Sequence, residues 1–209
     1  MRSCFLYENI LFSNILKCQK GFEAFFNKIG IDKLIIMGKN TGNIDFLTSL
    51  IEMLTNYLIV KKATFTDEQL ADVLQICKKG LNLPDKTENL LSKTLKLIAL
   101  IYDDRSKDKI AEMDIVQVIC SSWEAFKDEP EFFHNVVFAL SRVFLEHKNY
   151  SDEVVDSKLL NSILRYVGYY EQDDGLMLNY SELLKGLVEK NEPNRTKMCT
   201  EEVFNNILH

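Results

Sequence analysis

A hydrophobic pattern that returns every 42 to 44 residues constrains the fold of this chain more than any other feature. The anchors of the pattern stand 42, 42, 44 and 44 residues apart and are Ile31, Val73, Ile115, Leu159 and Val203. A period of this length is typical of stacked helical repeats, in which one unit cannot bury its own apolar face and packs on the next. Each anchor is therefore predicted to open a short apolar helix.

Turn-forming residues recur with nearly the same period. Four predicted turns follow one another at intervals of 42, 46 and 45 residues: Asn40–Gly42, Asn82–Pro84, Asp128–Pro130 and Asp173–Gly175. Each precedes a predicted helix of about four turns, and these helices cover 44–60, 87–103, 131–147 and 175–190. A polar break, a short helix and the anchor helix follow each long helix. Alternation typical of strands is absent from the sequence, which predicts an all-helical protein.

The overall charge of the chain limits its partners. The formal net charge is −6, and 27% of the residues are charged. Affinity for a nucleic-acid backbone comes from lysine and arginine neutralising phosphates, so an acidic chain with scattered lysines is not expected to bind nucleic acid as its main activity. We expect a protein partner instead.

The N-terminal residues and the cysteines indicate the cellular compartment of the protein. The apolar start of the chain is interrupted by Glu8, Asn9 and Asn14, which is not typical of a signal peptide. No apolar stretch is long enough to cross a bilayer. The five cysteines are an odd number and are predicted to be reduced, buried thiols. These features predict a cytoplasmic protein, with the nucleus as an alternative, and no membrane contact.

The sequence carries no recognisable catalytic, nucleotide or metal motif. Glycine-rich phosphate loops are missing, and His134, His147 and His209 do not stand at metal-ligand spacing. We therefore predict no cofactor, no metal, no catalytic residue and no enzymatic activity. The alternative is an enzyme whose site assembles in space, which requires a pocket holding His134 or His147 beside a carboxylate.

Three segments follow one another as a long helix, a polar break with a short helix, and the first helix of a further repeat: Leu184–Leu187, Asn194–Met198 and Val203–Leu208. This order, which also begins at Leu97 and at Phe12, resembles the armadillo family and shares much with HEAT-type helix pairs. The resemblance covers nearly the whole chain. It implies an all-α, right-handed superhelical α-solenoid of about four to five armadillo-like three-helix repeats in one domain, 1–209. The approximate repeats are 1–40, 41–82, 83–128, 129–173 and 174–209.

In the armadillo family the long third helix of each repeat lines a concave groove, where an asparagine often grips an extended peptide. The matching positions here hold Asn14, Asn56, Ile98, Arg142 and Gly186. Importin-alpha members place a tryptophan one turn earlier, where this chain has Ile10, Glu52, Thr94, Phe138 and Glu182. The tryptophan–asparagine ladder is absent, which argues against nuclear-import cargo. The resemblance still implies a concave partner-binding face formed by Asn14, Glu52, Asn56, Thr94, Phe138, Arg142 and Glu182.

Two acidic turns occupy equivalent junctions of the predicted repeats. The first contains Asp128, Glu129 and Glu131, and the second contains Glu171, Asp173 and Asp174. Stacked repeats would bring both turns to one edge and so create a negative ridge for a basic partner. The alternative is a pair of solvated loops that contribute only solubility. Likewise, Asn14 and Asn56 are either peptide contacts or ordinary polar surface residues.

The two ends of the chain carry apolar residues where a capping repeat would be polar. The first helix contains Phe5, Leu6, Ile10, Leu11 and Phe12, and the last contains Val203, Phe204, Ile207 and Leu208. We expect a partner or a second copy to cover one of these terminal repeats.

The predicted function is therefore a non-enzymatic protein-binding module, acting as an adaptor, scaffold, regulator or assembly factor through its concave surface. The alternative within the same class is a regulatory factor docked on a large assembly such as the ribosome or a heat-shock chaperone. Such a factor would contact a peptide, a helix or the basic proteins of that assembly.

Overall fold

A computed structural model of the chain describes residues 28–144, 158–170, 172–189 and 192–199. Every regular element in these ranges is a helix, and no strand occurs within them, which confirms the predicted helical class. The chain divides into two compact units, Met1–Ile101 and Tyr102–His209. The division falls inside the third predicted repeat, after its long helix. One continuous domain over 1–209 stays a prediction.

The described part of the first unit consists of α1 Ile31–Asn40, α2 Ile44–Lys61, α3 Asp67–Asn82 and α4 Glu88–Ile101. Side chains at the helix starts explain these boundaries. Asn43 accepts a hydrogen bond from the backbone N–H of Phe46 at 2.8 Å, and Thr66 and Gln69 form a reciprocal capping box at the start of α3. Such bonds satisfy amide groups that the first turn of a helix leaves without a partner.

Equivalent helices of consecutive predicted repeats pack against each other in the first unit. The long helices α2 and α4 make the most extensive contact, and α1 packs on α3. Leu34, Leu50 and Met53 form a buried cluster between α1 and α2. This pairing of like with like is the arrangement expected when one packing geometry is repeated along a chain.

A glycine sets the distance between α3 and α4. A Cβ atom at Gly80 would lie 2.7 Å from Thr94 Oγ1 and 3.5 Å from Ile51 Cδ1. The first distance is shorter than any ordinary contact, so a side chain at this position would push the helices apart or displace Thr94. The absence of a side chain at Gly80 therefore allows the close approach.

A lysine on α3 closes the end of α1. Lys79 Nζ donates hydrogen bonds to the backbone carbonyl of Lys39 at 3.0 Å and of Gly38 at 3.5 Å, and it also contacts the carbonyl of Thr41. The last carbonyls of a helix have no partner within the helix, and a cation complements the negative end of the helix dipole. Lys79 thereby joins two helices that the repeat pattern places in different repeats.

The described part of the second unit contains α5 Lys107–Ala111, α6 Ile115–Phe126, α7 Pro130–Phe144, α8 Lys158–Val167, α9 Asp174–Val188 and α10 Glu192–Met198. A short 3-10 helix, Gly168–Tyr170, continues α8. The two long helices α7 and α9 pack on each other, and α6 and α10 pack beside them. Phe132, Phe133 and Val137 are fully buried on α7. Here too the principal contact joins equivalent helices of consecutive predicted repeats.

Not every anchor residue opens a helix. Ile31 begins α1 and Ile115 begins α6, as predicted, and Leu159 is the second residue of α8. The prediction for Val73 is wrong, because this residue lies inside the continuous helix α3. The capping box at Thr66 starts the helix early, and the exposed Glu68 sits in its first turn, where the other repeats have an apolar residue. The second repeat is consequently a helix pair without a separate short helix. Val203 lies outside the described residues.

Candidate functional site

The residues predicted for the concave face have different environments in the first unit. Glu52 on α2 pairs with Lys93 on α4, with 2.9 Å between the carboxylate oxygen and the ammonium nitrogen. Asn56 is half-buried on α2. Thr94 is completely buried, and its hydroxyl donates to the carbonyl of Leu90 at 2.6 Å. This placement removes Thr94 from any partner-contacting surface, because its side chain fills the space that Gly80 leaves open.

Three further residues of this set lie in the second unit. On α7 the exposed Arg142 guanidinium stands 5.6 Å from the centre of the half-buried Phe138 ring, which is a cation–π contact. Glu182 on α9 is half-buried, and its Oε2 atom is shielded from solvent and has no hydrogen-bond partner among the described residues. Arg142 is thus the most accessible of the three. Asn14, at the start of the predicted ladder, lies outside the described residues.

The two acidic junctions are each tied to a neighbouring helix. Asp128 accepts a hydrogen bond from the Tyr166 hydroxyl at 2.7 Å. Asp173 caps α9 by accepting from the backbone N–H of Leu176 at 2.9 Å, and its other oxygen lies 3.7 Å from His134 Nε2. Glu129, Glu131 and Asp174 are exposed nearby in sequence, and Glu171 lies outside the described residues. The junctions therefore combine a structural role with free negative charge.

Aromatic rings connect these two junctions. Phe133 on α7 stacks on Tyr170 with 5.2 Å between the ring centres and also lies 6.1 Å from Tyr166. Tyr166 contacts Tyr169 at 5.9 Å, and Tyr170 meets His134 edge to face at 5.3 Å. The residue that binds Asp128 and the residue that contacts Asp173 thus belong to one continuous aromatic cluster.

We name the surface part of this cluster the acidic–aromatic patch, which consists of Asp128, His134, Tyr166, Tyr169, Tyr170 and Asp173. Tyr169 is 81% exposed, an unusual position for a large ring that packs against another tyrosine. The other two tyrosines are half-buried, and Asp128 is exposed. The patch rests on the buried Trp123, whose ring meets Tyr166 edge to face at 6.2 Å. A rigid core thereby orients a partly exposed set of rings and carboxylates.

Electrostatics at the patch favour cations. The hydrogen bond to Asp128 raises the pKa of the Tyr166 phenol above its usual range. Burial, followed by the negative charge of Asp128, raises the pKa of Tyr170. The adjacent Lys127 ammonium pairs with Glu124, with 2.7 Å between nitrogen and oxygen, and its positive charge also acts on Asp128 and Tyr166. Both phenols are therefore neutral at physiological pH, and their ring faces and the carboxylates attract a positive charge.

The tyrosines of the patch are absent from the residues predicted by sequence. A signal was present, because Tyr166, Tyr169 and Tyr170 directly precede the acidic turn that contains Asp173. Aromatic residues next to carboxylates are a common composition of binding surfaces.

His134 beside Asp173 bears on the enzymatic alternative. The two side chains are 35% and 44% exposed, whereas the Nε2 atom of His134 itself is shielded from solvent. The enzymatic alternative stays a prediction. His147 lies outside the described residues. Among the residues the structure describes, no group of histidine, cysteine and carboxylate side chains could hold a metal ion.

The cysteines differ from the sequence-based expectation. Cys77 is buried, and burial raises the pKa of its thiol to about 12. Cys120 and Cys199 are exposed, so the prediction of buried thiols is wrong for these two. None of the helices in the described ranges has the length and apolar character needed to span a bilayer. The apolar terminal residues 5–12 and 203–208 lie outside those ranges.

Neither a protein-family model nor a curated protein matches this chain. The resemblance to armadillo repeats therefore depends on the 42- to 44-residue pattern and on the order of the helices.

Proposed function

We propose that this protein is a non-enzymatic protein-binding module that captures a basic segment of a partner protein at the acidic–aromatic patch. The observation that carries the proposal is that both acidic junctions contact one aromatic cluster, Asp128 through Tyr166 and Asp173 through His134, and that Tyr169 in this cluster is 81% exposed. Tyrosine faces and carboxylates together bind lysine and arginine side chains through cation–π contacts and ion pairs.

Contacts within the protein fix the side chains of the patch, and this favours tight binding. The Tyr166 hydroxyl donates a hydrogen bond to Asp128, and the Tyr166 ring packs against the buried rings of Phe133 and Trp123. Side chains that are already fixed lose little conformational entropy when a partner binds. Rigid tyrosines are also enriched among the residues that contribute most to protein interfaces.

A comparison of captured proteins tests this proposal. The full-length protein and its Tyr169→Ala/Asp128→Asn variant are used to purify partners from extracts of the source organism, and the bound proteins are quantified by mass spectrometry. We expect the variant to lose a basic partner by about tenfold, since one hot-spot ring and one facing charge are removed. Asparagine still accepts the hydrogen bond from Tyr166, so helicity measured by circular dichroism should not change.

The matched control is Asp108→Asn/Ile59→Ala, which removes one exposed carboxylate from α5 and one exposed apolar side chain from α2. This variant should retain the partner. Equal capture by the patch variant and the unmodified protein would contradict the proposal. If the control variant loses the partner to the same extent, capture depends on overall charge rather than on the patch.

We further propose that each unit is a short stack of armadillo-like repeats whose long helices offer a second partner surface. The packing of α2 on α4 and of α7 on α9 supports the stack. Members of the predicted surface that are exposed or partly accessible include Glu52 and Asn56 in the first unit, and Phe138 and Arg142 in the second. An Arg142→Glu/Asn56→Ala variant in the same purification distinguishes the surfaces: if only this variant loses the partner, the long helices rather than the patch bind it.

A basic partner is either a free protein or a component of a large assembly. We expect a basic protein component of such an assembly to bind the same patch by the same chemistry. Sedimentation of extracts through sucrose gradients separates the two cases. Co-migration with a large particle that is lost in the Tyr169→Ala/Asp128→Asn variant would identify the protein as a regulator docked on that particle.

A further inference from the structure

A groove of about 450 Å³ runs between α1 and α3 of the first unit. Ile35, which is 2% exposed, lies at its floor, and Ile36, which is 56% exposed, lies at its rim. The remaining lining residues are polar and come from both helices: Asp32, Thr66, Glu68, Gln69 and Asp72. The volume is within the range of pockets that enclose a small molecule or a single large side chain.

Two bridges hold the walls of this groove together. Gln69 Nε2 on α3 donates to Asp32 Oδ1 on α1 at 2.7 Å. Lys39 Nζ on α1 pairs with Asp72 Oδ1 on α3 at 2.5 Å. Since each bridge joins α1 to α3, the spacing of the helices is set before any ligand binds. The groove is therefore preorganised.

The bridges leave the groove with an excess of negative charge. Lys39 neutralises Asp72, but the amide of Gln69 is neutral and leaves the charge of Asp32 in place. Glu68 is exposed in the first turn of α3 and adds a further carboxylate. Neither Asp32 nor Glu68 forms an ion pair with a lysine or arginine in the described ranges. An apolar floor flanked by these two carboxylates matches a side chain that has an aliphatic stem and a cationic end.

We infer that the α1–α3 groove binds an arginine side chain presented by a partner protein. The aliphatic stem of arginine would lie against Ile35 and Ile36, and its guanidinium would donate to Asp32 and Glu68. Arginine fits better than lysine, because its planar guanidinium has five donors and can serve two carboxylates at once. This site is independent of the acidic–aromatic patch, since every lining residue belongs to the first unit.

The test uses the full-length protein with labelled isoleucine methyl groups and the peptide acetyl-Gly-Ala-Arg-Ala-Gly-amide, followed by NMR. We expect the Ile36 methyl signal, assigned through an Ile36→Val variant, to move in a saturable manner. The same peptide with citrulline in place of arginine keeps the shape and removes the charge, and should bind about tenfold more weakly. The lysine peptide should also bind more weakly than the arginine peptide.

Two protein variants separate the groove from general electrostatic attraction. Asp32→Asn/Glu68→Gln should weaken arginine binding by about fivefold while the Gln69 bridge is retained, because an amide oxygen still accepts a hydrogen bond. Asp45→Asn/Asp85→Asn removes two exposed carboxylates elsewhere in the first unit and should leave binding unchanged. The inference is overturned if citrulline or lysine binds as well as arginine, if no saturable shift occurs, or if both variants lose affinity equally.

Discussion

The buried threonine hydroxyls of α2 and α4 are satisfied by the helices that carry them. Thr55 and Thr94 donate to the carbonyls four residues earlier, Ile51 and Leu90, at 2.9 and 2.6 Å. A buried polar group without a partner loses its hydration and gains nothing in return, so such local bonds are the expected solution. Tyr180 on α9 departs from this rule. Its ring is 5% exposed, and its hydroxyl has no hydrogen-bond partner among the described residues.

Replacement of Tyr180 by phenylalanine should stabilise the protein. The change removes an unpaired buried hydroxyl, so we expect the free energy of unfolding at neutral pH to rise by about 1 kcal/mol. Chemical denaturation followed by circular dichroism measures this. Tyr169→Phe, at the exposed ring, is the control and should leave the stability unchanged.

The stability gained by Tyr180→Phe should depend on pH. Burial raises the pKa of Tyr180 to about 12, whereas in the unfolded chain the phenol ionises at a pKa of about 10. The stability linked to the protonated phenol is therefore complete below pH 10 and is lost as the pH rises toward 12. Tyr180→Phe cannot undergo this loss, so its advantage over the unmodified protein should grow across that interval. A constant difference in stability from pH 9 to pH 12 would contradict the assignment.

At the scale of single elements, the helix ends show how contacts between repeats reinforce local signals. Most starts are encoded nearby, as with Asn43 before α2 and Asp173 before α9. The end of α1 is different, because its free carbonyls are satisfied by Lys79 from α3, about 40 residues later in the chain. Adjacent lysines therefore have unequal roles, since Lys78 is exposed and Lys79 is not.

Lys79→Met should destabilise the protein, whereas Lys78→Met should not. Loss of the charge-assisted bonds at the end of α1 is expected to lower the free energy of unfolding by about 1–2 kcal/mol. The exposed Lys78 should tolerate the same change within about 0.5 kcal/mol. Urea denaturation of the two variants under identical conditions gives the comparison. Equal stabilities would show that Lys79 does not stabilise the end of α1.

At the scale of the whole molecule, Trp123 is a natural probe because it is the one tryptophan of the sequence and lies buried in the second unit. Circular dichroism reports the helices of both units. Comparison of Trp123 fluorescence with circular dichroism therefore shows whether the two units unfold in one transition. In a repeat array, stability is transmitted through the interfaces of neighbouring repeats.

A substitution in the first unit tests the single array predicted from the repeat pattern. Gly80→Ala forces a Cβ atom against Thr94, and we expect a loss of about 1–2 kcal/mol after the better helix propensity of alanine is included. In a continuous array, the urea midpoints of Trp123 fluorescence and circular dichroism should fall together. A separate first transition in circular dichroism with an unchanged Trp123 midpoint would identify two independent domains. Gly42→Ala, where a Cβ atom meets no atom within 4 Å, is the control.

Agreement between sequence and structure is closest for the long helices. The expected helix at 44–60 is found at Ile44–Lys61, and the one at 175–190 is found at Asp174–Val188. Local signals suffice for such elements, because turn residues, caps and a 3.6-residue apolar period all act within a few residues. The misplaced helix start at Val73 has a local cause as well, namely the Thr66–Gln69 capping box that lies upstream.

The sequence by itself determined the helical class, where the long helices lie, and that turns precede them at regular intervals. The tertiary structure alone decided which side chains are exposed and which of them lie together. It buried Thr94 against Gly80, joined Asp128 to Tyr166, and opened the groove beside Ile36. Periodicity describes one helix face at a time, whereas exposure depends on which neighbouring helix covers that face and how closely it approaches.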